Sequence, residues 1–141
     1  MKYLLDSNII SEPSKPFPNE KVLNLLSTRR KDCVISSITF FEMLYGVLKL
    51  SNGKRKDILL SYLNEIVVPF YKILSYDFNA AKMHAQISSE LEKIGLKTPF
   101  VDTQIASVAI SNNLVLVTRN VKDFENIKNA FQLKIENWFE K

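Results

Sequence analysis

One cysteine, one histidine and three glycines in 141 residues leave few routes to chemistry. A lone Cys33 cannot close an internal disulfide and reads as a small buried hydrophobe in a reducing compartment. Thiolate and imidazole ligands in the numbers a zinc site needs are missing, which excludes that class of metal centre. His84 falls mid-helix after Met83 with nothing at catalytic spacing, so a packed histidine is expected rather than a general base. No glycine-rich phosphate loop follows the first strand-like segment, which disfavours a nucleotide-binding fold. So few glycines, with only five prolines, also argue against disorder. No apolar run approaches the roughly 20 residues that cross a bilayer, and Met1-Lys2 leads into a strand rather than a secretory signal. The expectation is a cytoplasmic protein with no membrane association.

What is present fits one domain spanning residues 1–141, long enough to bury a real core. Net charge is +4, with basic runs at Arg29-Arg30-Lys31 and Lys54-Arg55-Lys56, a mild bias toward polyanions. Strand and helix signals alternate. Strands are expected at Lys2–Leu5, Cys33–Ser36, Ile66–Val68, Lys72–Leu74 and Leu114–Thr118, with Leu133–Ile135 as an edge. Helices are expected at Glu20–Arg29 capped by Asn19, Thr39–Leu50, Lys56–Glu65, Asp77–Ile94 and Pro99–Asn112, with a turn or short helix at Val121–Asn126. In the long helix Ala80, Ala81, Ala85, Ile87 and Leu91 should face inward, and Gly95 should stop it. This order implies an α/β fold: three layers, α/β/α, around a central, mainly parallel sheet.

In such sheets ligands bind beyond the carboxyl ends of the strands. Asp6 closes the apolar run Tyr3-Leu4-Leu5, and Glu42 and Asp102 lie near the starts of helices close to other strand ends. Each has a bland reading. Asp6 can be a turn residue or an N-cap, Glu42 can complete a capping box with Thr39, and Asp102 can complement a helix dipole. Asp123 and Asn120 follow the strand ending at Thr118, where a polar connection anchored by Phe124 is the alternative. Asn8 is a turn residue or a group holding the Asp6 carboxylate. Tyr45 and Tyr76 are expected to pack rather than stack on bases. If Asp6, Glu42 and Asp102 converge, they form an all-oxygen pocket whose excess negative charge calls for a hard divalent cation.

Four segments in order resemble the PIN-domain ribonucleases and, within them, the VapC toxins of bacterial toxin–antitoxin modules. They are Tyr3-Leu4-Leu5-Asp6-Ser7-Asn8-Ile9-Ile10, the stretch Ile35–Gly46 containing Glu42, Pro99–Ala106 containing Asp102, and Val117–Phe124. Ser7 replaces the usual threonine of the first motif, and Gly46 would let its helix pack closely. The resemblance implies a PIN-like fold and an endoribonuclease dependent on Mg²⁺, with Mn²⁺ as substitute, that cleaves structured RNA such as tRNA. Asp6 and Asp102 would bind the ion, and Glu42 would ligate it or orient its water. Asp123 would complete the acidic ring. Many PIN domains carry an acid where this chain has Asn120, and VapC-like members often carry it three residues later, at Asp123. The implied partners are an RNA substrate, a VapB-like antitoxin that contacts operator DNA, and a second copy in a homodimer. The rival readings are a metal-dependent DNA nuclease or phosphatase using the same acids, and an inactive α/β binding module.

Overall fold

The computed structural model describes residues 1–140. Five short strands, β1 (Tyr3–Leu5), β2 (Cys33–Ser36), β3 (Lys72–Leu74), β4 (Val115–Val117) and β5 (Ile135–Glu136), form one sheet in the order β3-β2-β1-β4-β5. All four pairings are parallel. Side chains alternate across a strand, so each strand feeds two cores. Tyr3, Leu5, Cys33, Ile35 and Val117 join one buried cluster, while Leu4, Val34 and Leu116 join the other.

The first cluster is covered by α1 (Ser7–Ile10), α2 (Glu20–Arg29), α3 (Ser37–Leu48) and α4 (Lys54–Tyr62). The second is covered by α5 (Phe78–Lys93), α6 (Phe100–Ser111) and α7 (Glu125–Phe131). The result is the expected α/β/α sandwich. Fully buried Ile9, Ile10, Ile87, Leu91 and Ile105 anchor the two helical layers, each worth about 1.5–3 kcal/mol of burial.

Local chemistry accounts for the helix ends. The Asn19 side chain accepts from the Val22 amide at 3.0 Å, and Asp77 accepts from Ala80 at 2.9 Å. After α5 the chain enters the left-handed region at Gly95, φ 80°. The Leu96 amide donates to the Leu91 carbonyl and the Gly95 amide to Glu92, the paired bonds of a glycine-terminated helix.

Four expectations need correction. Ile66–Val68 is not extended: α4 runs into a π-helical turn at Leu63–Val67 and a further helical turn at Val68–Phe70. Pro69 sits at the start of that turn, where no amide is needed, and Val67 is fully buried. In α5 the inward residue is His84 rather than Ala85, which is exposed. The cap of α3 is Ser36, whose hydroxyl accepts from the Thr39 amide at 3.1 Å. Glu42 therefore stands in the second turn, outside any capping box. Finally, a Cβ on Gly46 would meet nothing within 4 Å, so that glycine serves no close helix packing.

Candidate active site

β1 lies between β2 and β4, and the chain leaves it in one direction and returns on its other side after β3. That reversal opens a crevice at the carboxyl ends of the central strands. Asp6 is the residue after β1. It caps α1, with Oδ1 accepting from the Ser7 amide at 2.8 Å. Its Oδ2 accepts from the Thr118 hydroxyl at 2.8 Å, and only 6% of the residue is exposed.

Thr118, the residue after β4, holds Asp6 through a contact that the sequence alone did not reveal. It is fully buried. Its oxygen donates to Asp6 and accepts from the Asn120 amide at 3.1 Å and the Asn8 side chain at 3.4 Å. Asn8 holds the neighbouring loop, accepting from the Arg119 amide at 3.0 Å, and reaches Asp6 only through Thr118. The available signal was the polar residue ending an apolar strand, which parallel pairing sets beside Asp6.

Glu42 on α3 and Asp102 in the first turn of α6 are both half-buried. Burial pushes the Asp6 carboxyl above its ordinary value, the Thr118 and Ser7 hydrogen bonds oppose this, and the charge of Asp123 adds to the rise. Burial also raises Glu42, helped by the charges of Asp6 and Asp102. Asp102 is raised by burial and by Asp123 and Asp6. The charges of Asp6, Asp102 and Asp123 thus reach neighbouring carboxyls near the ends of the strands. The acids are not drawn into ligating geometry: among the described residues, no three acid, histidine or cysteine side chains are grouped so as to hold an ion. Asp123 is exposed on the turn after β4, and its amide donates to the Asn120 carbonyl at 3.1 Å.

Glu12 supplies the contrast. It is buried as deeply as Asp6, at 4% exposure. Burial pushes its carboxyl up, yet the Asn19 amide, Lys15 and Arg119 outweigh that and hold it below the ordinary value. The Lys15 ammonium lies 3.0 Å away. Among the described residues the ion pairs are Lys15–Glu12 and Arg29–Glu136. Neither neutralises the cleft. An oxygen-only donor set without internal counter-charge fits a hard divalent cation.

Two grooves leave the cleft at Glu42. One, of about 470 Å³, runs between α1, α3 and α4 past Met43, Gly46, Leu50 and Leu59 to Lys15 and Arg55. The other lies between α3 and α6. His84 is packed as expected, with Nδ1 2.7 Å from the Tyr76 hydroxyl. Tyr45 does not pack inward: it is 53% exposed.

Fold and cleft together define a small α/β/α domain with an acidic pocket at its strand ends, the layout of metal-dependent phosphodiesterases. The PIN domain family model matches residues 3–130. The chain belongs to that family, in the branch of the VapC-type ribonuclease toxins. It is 38% identical over 124 residues to Toxin FitB of Neisseria gonorrhoeae, covering 86% of this chain and 89% of that one. It is 33% identical over 141 residues to the tRNA(fMet)-specific endonuclease VapC of Salmonella typhimurium, covering 98% of each. Among solved structures it superposes on VapBC2 from Rickettsia felis bound to a promoter DNA fragment, with TM-score 0.81, 34% identity, and 98% and 99% of the two chains covered. Nucleases of the PIN family are generally dependent on divalent metal.

Proposed function

We propose that this protein is the toxin of a VapBC-type toxin–antitoxin pair, acting as a single domain and hydrolysing RNA phosphodiesters with Mg²⁺, or Mn²⁺ in its place. The observation that carries this reading is the placement of a buried Asp6 directly after the central strand of a PIN-family chain, held by Thr118 and Ser7, with half-buried Glu42 and Asp102 near enough for its charge to be felt. Asp6 and Asp102 would hold the ion, with Asp123 or the Asn120 carbonyl completing the ring. When bound, a divalent cation supplies Lewis-acid stabilisation of the phosphoryl oxygens and favours ionisation of water. The chain's own part is positional. Thr118 and the Ser7 amide fix both oxygens of Asp6, so that carboxylate pays no reorientation cost when substrate arrives. Glu42, half-buried where the two grooves meet, orients the attacking water. Water adds to phosphorus, the P–O bond to the leaving ribose oxygen breaks, and that oxygen takes up a proton. No covalent enzyme intermediate is needed.

The structured-RNA substrate, tRNA in particular, is supported by the name of the Salmonella typhimurium relative. Inhibition by a VapB-like antitoxin that carries the contact with operator DNA is supported by the DNA-bound Rickettsia felis complex. The apolar groove ending at Glu42 suits an antitoxin tail. Exposed Phe78, Ile94 and Phe100 suit a homodimer. No helix among the described residues is long and apolar enough to cross a membrane, in keeping with a cytoplasmic site of action. The deciding experiment incubates purified protein with tRNA and with DNA of matched length, with and without Mg²⁺. Metal-dependent cleavage of RNA that disappears in Asp6→Asn is expected. Cleavage of DNA alone supports the rival nuclease, and cleavage of neither supports a binding module.

A further inference from the structure

Phe41, Tyr45 and Lys49 stand one helical turn apart along α3, starting beside Glu42 and ending at the helix cap. Phe41 is 61% exposed and Tyr45 53%. Their rings are nearly parallel, with centroids 5.5 Å apart and 10° between planes. The Lys49 ammonium lies 4.8 Å from the Tyr45 ring centroid, leaving Phe41 as the open end of the stack. These three residues line a groove of about 610 Å³ shared with Gln104 of α6, Glu42 and Gly46. Gly46 weakens a helix interior, and the fold does not require it, since a Cβ there would meet nothing within 4 Å. Its effect is to keep the groove open.

Two stacked rings held in water beside acidic residues, with an ammonium at the far end, suit a short stretch of single strand. A flat apolar base needs a π-face, and the backbone phosphates that follow it need a cation. We propose that this groove is a base-binding subsite of the cleft. A nucleobase of single-stranded RNA next to the scissile phosphate stacks on the open face of Phe41, with Tyr45 backing that ring; the Gln104 amide meets the base edge, and Lys49, beyond Tyr45, contacts a phosphate further along the strand. Base-on-aromatic stacking tolerates any sequence, whereas Gln104, with a donor and an acceptor, can favour particular bases. The inference rests on reading the cleft as an RNA phosphodiesterase.

The test is fluorescence anisotropy of labelled octauridylate binding to the intact protein in EDTA, where hydrolysis is silent. Phe41→Ala and Tyr45→Ala should each weaken binding about tenfold, and Phe41→Trp should retain it. Lys49→Ala should flatten the salt dependence by a slope of about 0.7. Octauridylates carrying one abasic position each should include one that lowers wild-type affinity as much as Phe41→Ala does, with little further loss in that variant. Thermal melts should be unchanged, because both rings are exposed. Wild-type affinity in both alanine variants overturns the proposal. So does a change in sedimentation with RNA affinity intact, which makes this face an interface between copies of the chain. Ring-dependent binding without any metal-dependent cleavage keeps the subsite and removes the hydrolytic reading. Cleavage with ring-independent binding does the reverse.

Discussion

Thr118→Val removes one buried hydroxyl and tests whether it holds Asp6 as an ionised group. In the folded protein that hydroxyl donates to Asp6 Oδ2 at 2.8 Å, with Thr118 fully buried and Asp6 6% exposed. A hydrogen bond to a charged group contributes about 1.5–3 kcal/mol, and valine offers the carboxylate no substitute. The two bonds that Thr118 accepts come from Asn8 and Asn120, which reach solvent and can turn to water. A loss of about 2 kcal/mol is expected. Unfolding entropy of about 2.1 cal/mol/K per residue over 141 residues converts this to a fall in Tm of about 7 °C. Thr118→Ser keeps the hydroxyl and loses one methyl, costing about 1 kcal/mol. The assay is differential scanning calorimetry without divalent ions, from neutral to mildly acid pH. As Asp6 takes up a proton, the bond falls to the neutral range of about 0.5–1.5 kcal/mol, so the gap between wild type and Thr118→Val should close by about half. A gap under about 2 °C at neutral pH, or one that widens on acidification, refutes the idea that Thr118 holds an ionised Asp6.

Asp102→Asn should raise Tm at neutral pH in the absence of metal and shrink the rise that Mg²⁺ produces. Asp6, Glu42 and Asp102 are all held above their ordinary values. Between those values and the raised ones the folded chain binds more protons than the unfolded chain. The three groups therefore add stability as pH falls through that window and withdraw it as pH rises. The variant should show a flatter profile, and a lower Tm than wild type at neutral pH would mark Asp102 as structural. Asp123→Asn should raise the Mg²⁺ concentration needed for RNA cleavage more than Asn120→Ala does, because a hard cation gains more from a carboxylate than from an amide carbonyl. The reverse order in a metal titration assigns the fourth position to Asn120.

The parallel sheet and its two helical layers followed from short apolar runs alternating with helical stripes, because a doubly covered parallel sheet has little choice of pattern. Asn19 was legible as a cap because one polar residue precedes the stripe. Thr39 was read as the cap of α3, and Ser36 takes that place because β2 stops pairing with β3 there, at Ser36 with Leu74. Ile66-Val67-Val68-Pro69 reads as extended by propensity. Tertiary burial of Val67 overrides it and winds the segment into helix. In α5, alanine spacing pointed to Ala85, but the turn of the helix gives the inward place to His84, where Tyr76 satisfies its ring nitrogen. Asp6 was conspicuous as a candidate because a carboxylate closes the first apolar run. Thr118 was not, because its role depends on β4 lying beside β1, a relation between distant segments that no local pattern encodes.

That relation has a consequence during synthesis. The bond from Thr118 to Asp6 joins residues 112 positions apart, and the first strand reaches its central place only when β4 arrives on its open side. A ribosome has emitted Asp6 and Glu42 long before Thr118 exists. Throughout that interval the growing chain carries most of its acids without the strand that locks the first of them in place. Assembly of the strand-end site around Asp6 is thus deferred to the closing stage of translation, when the last quarter of the chain docks.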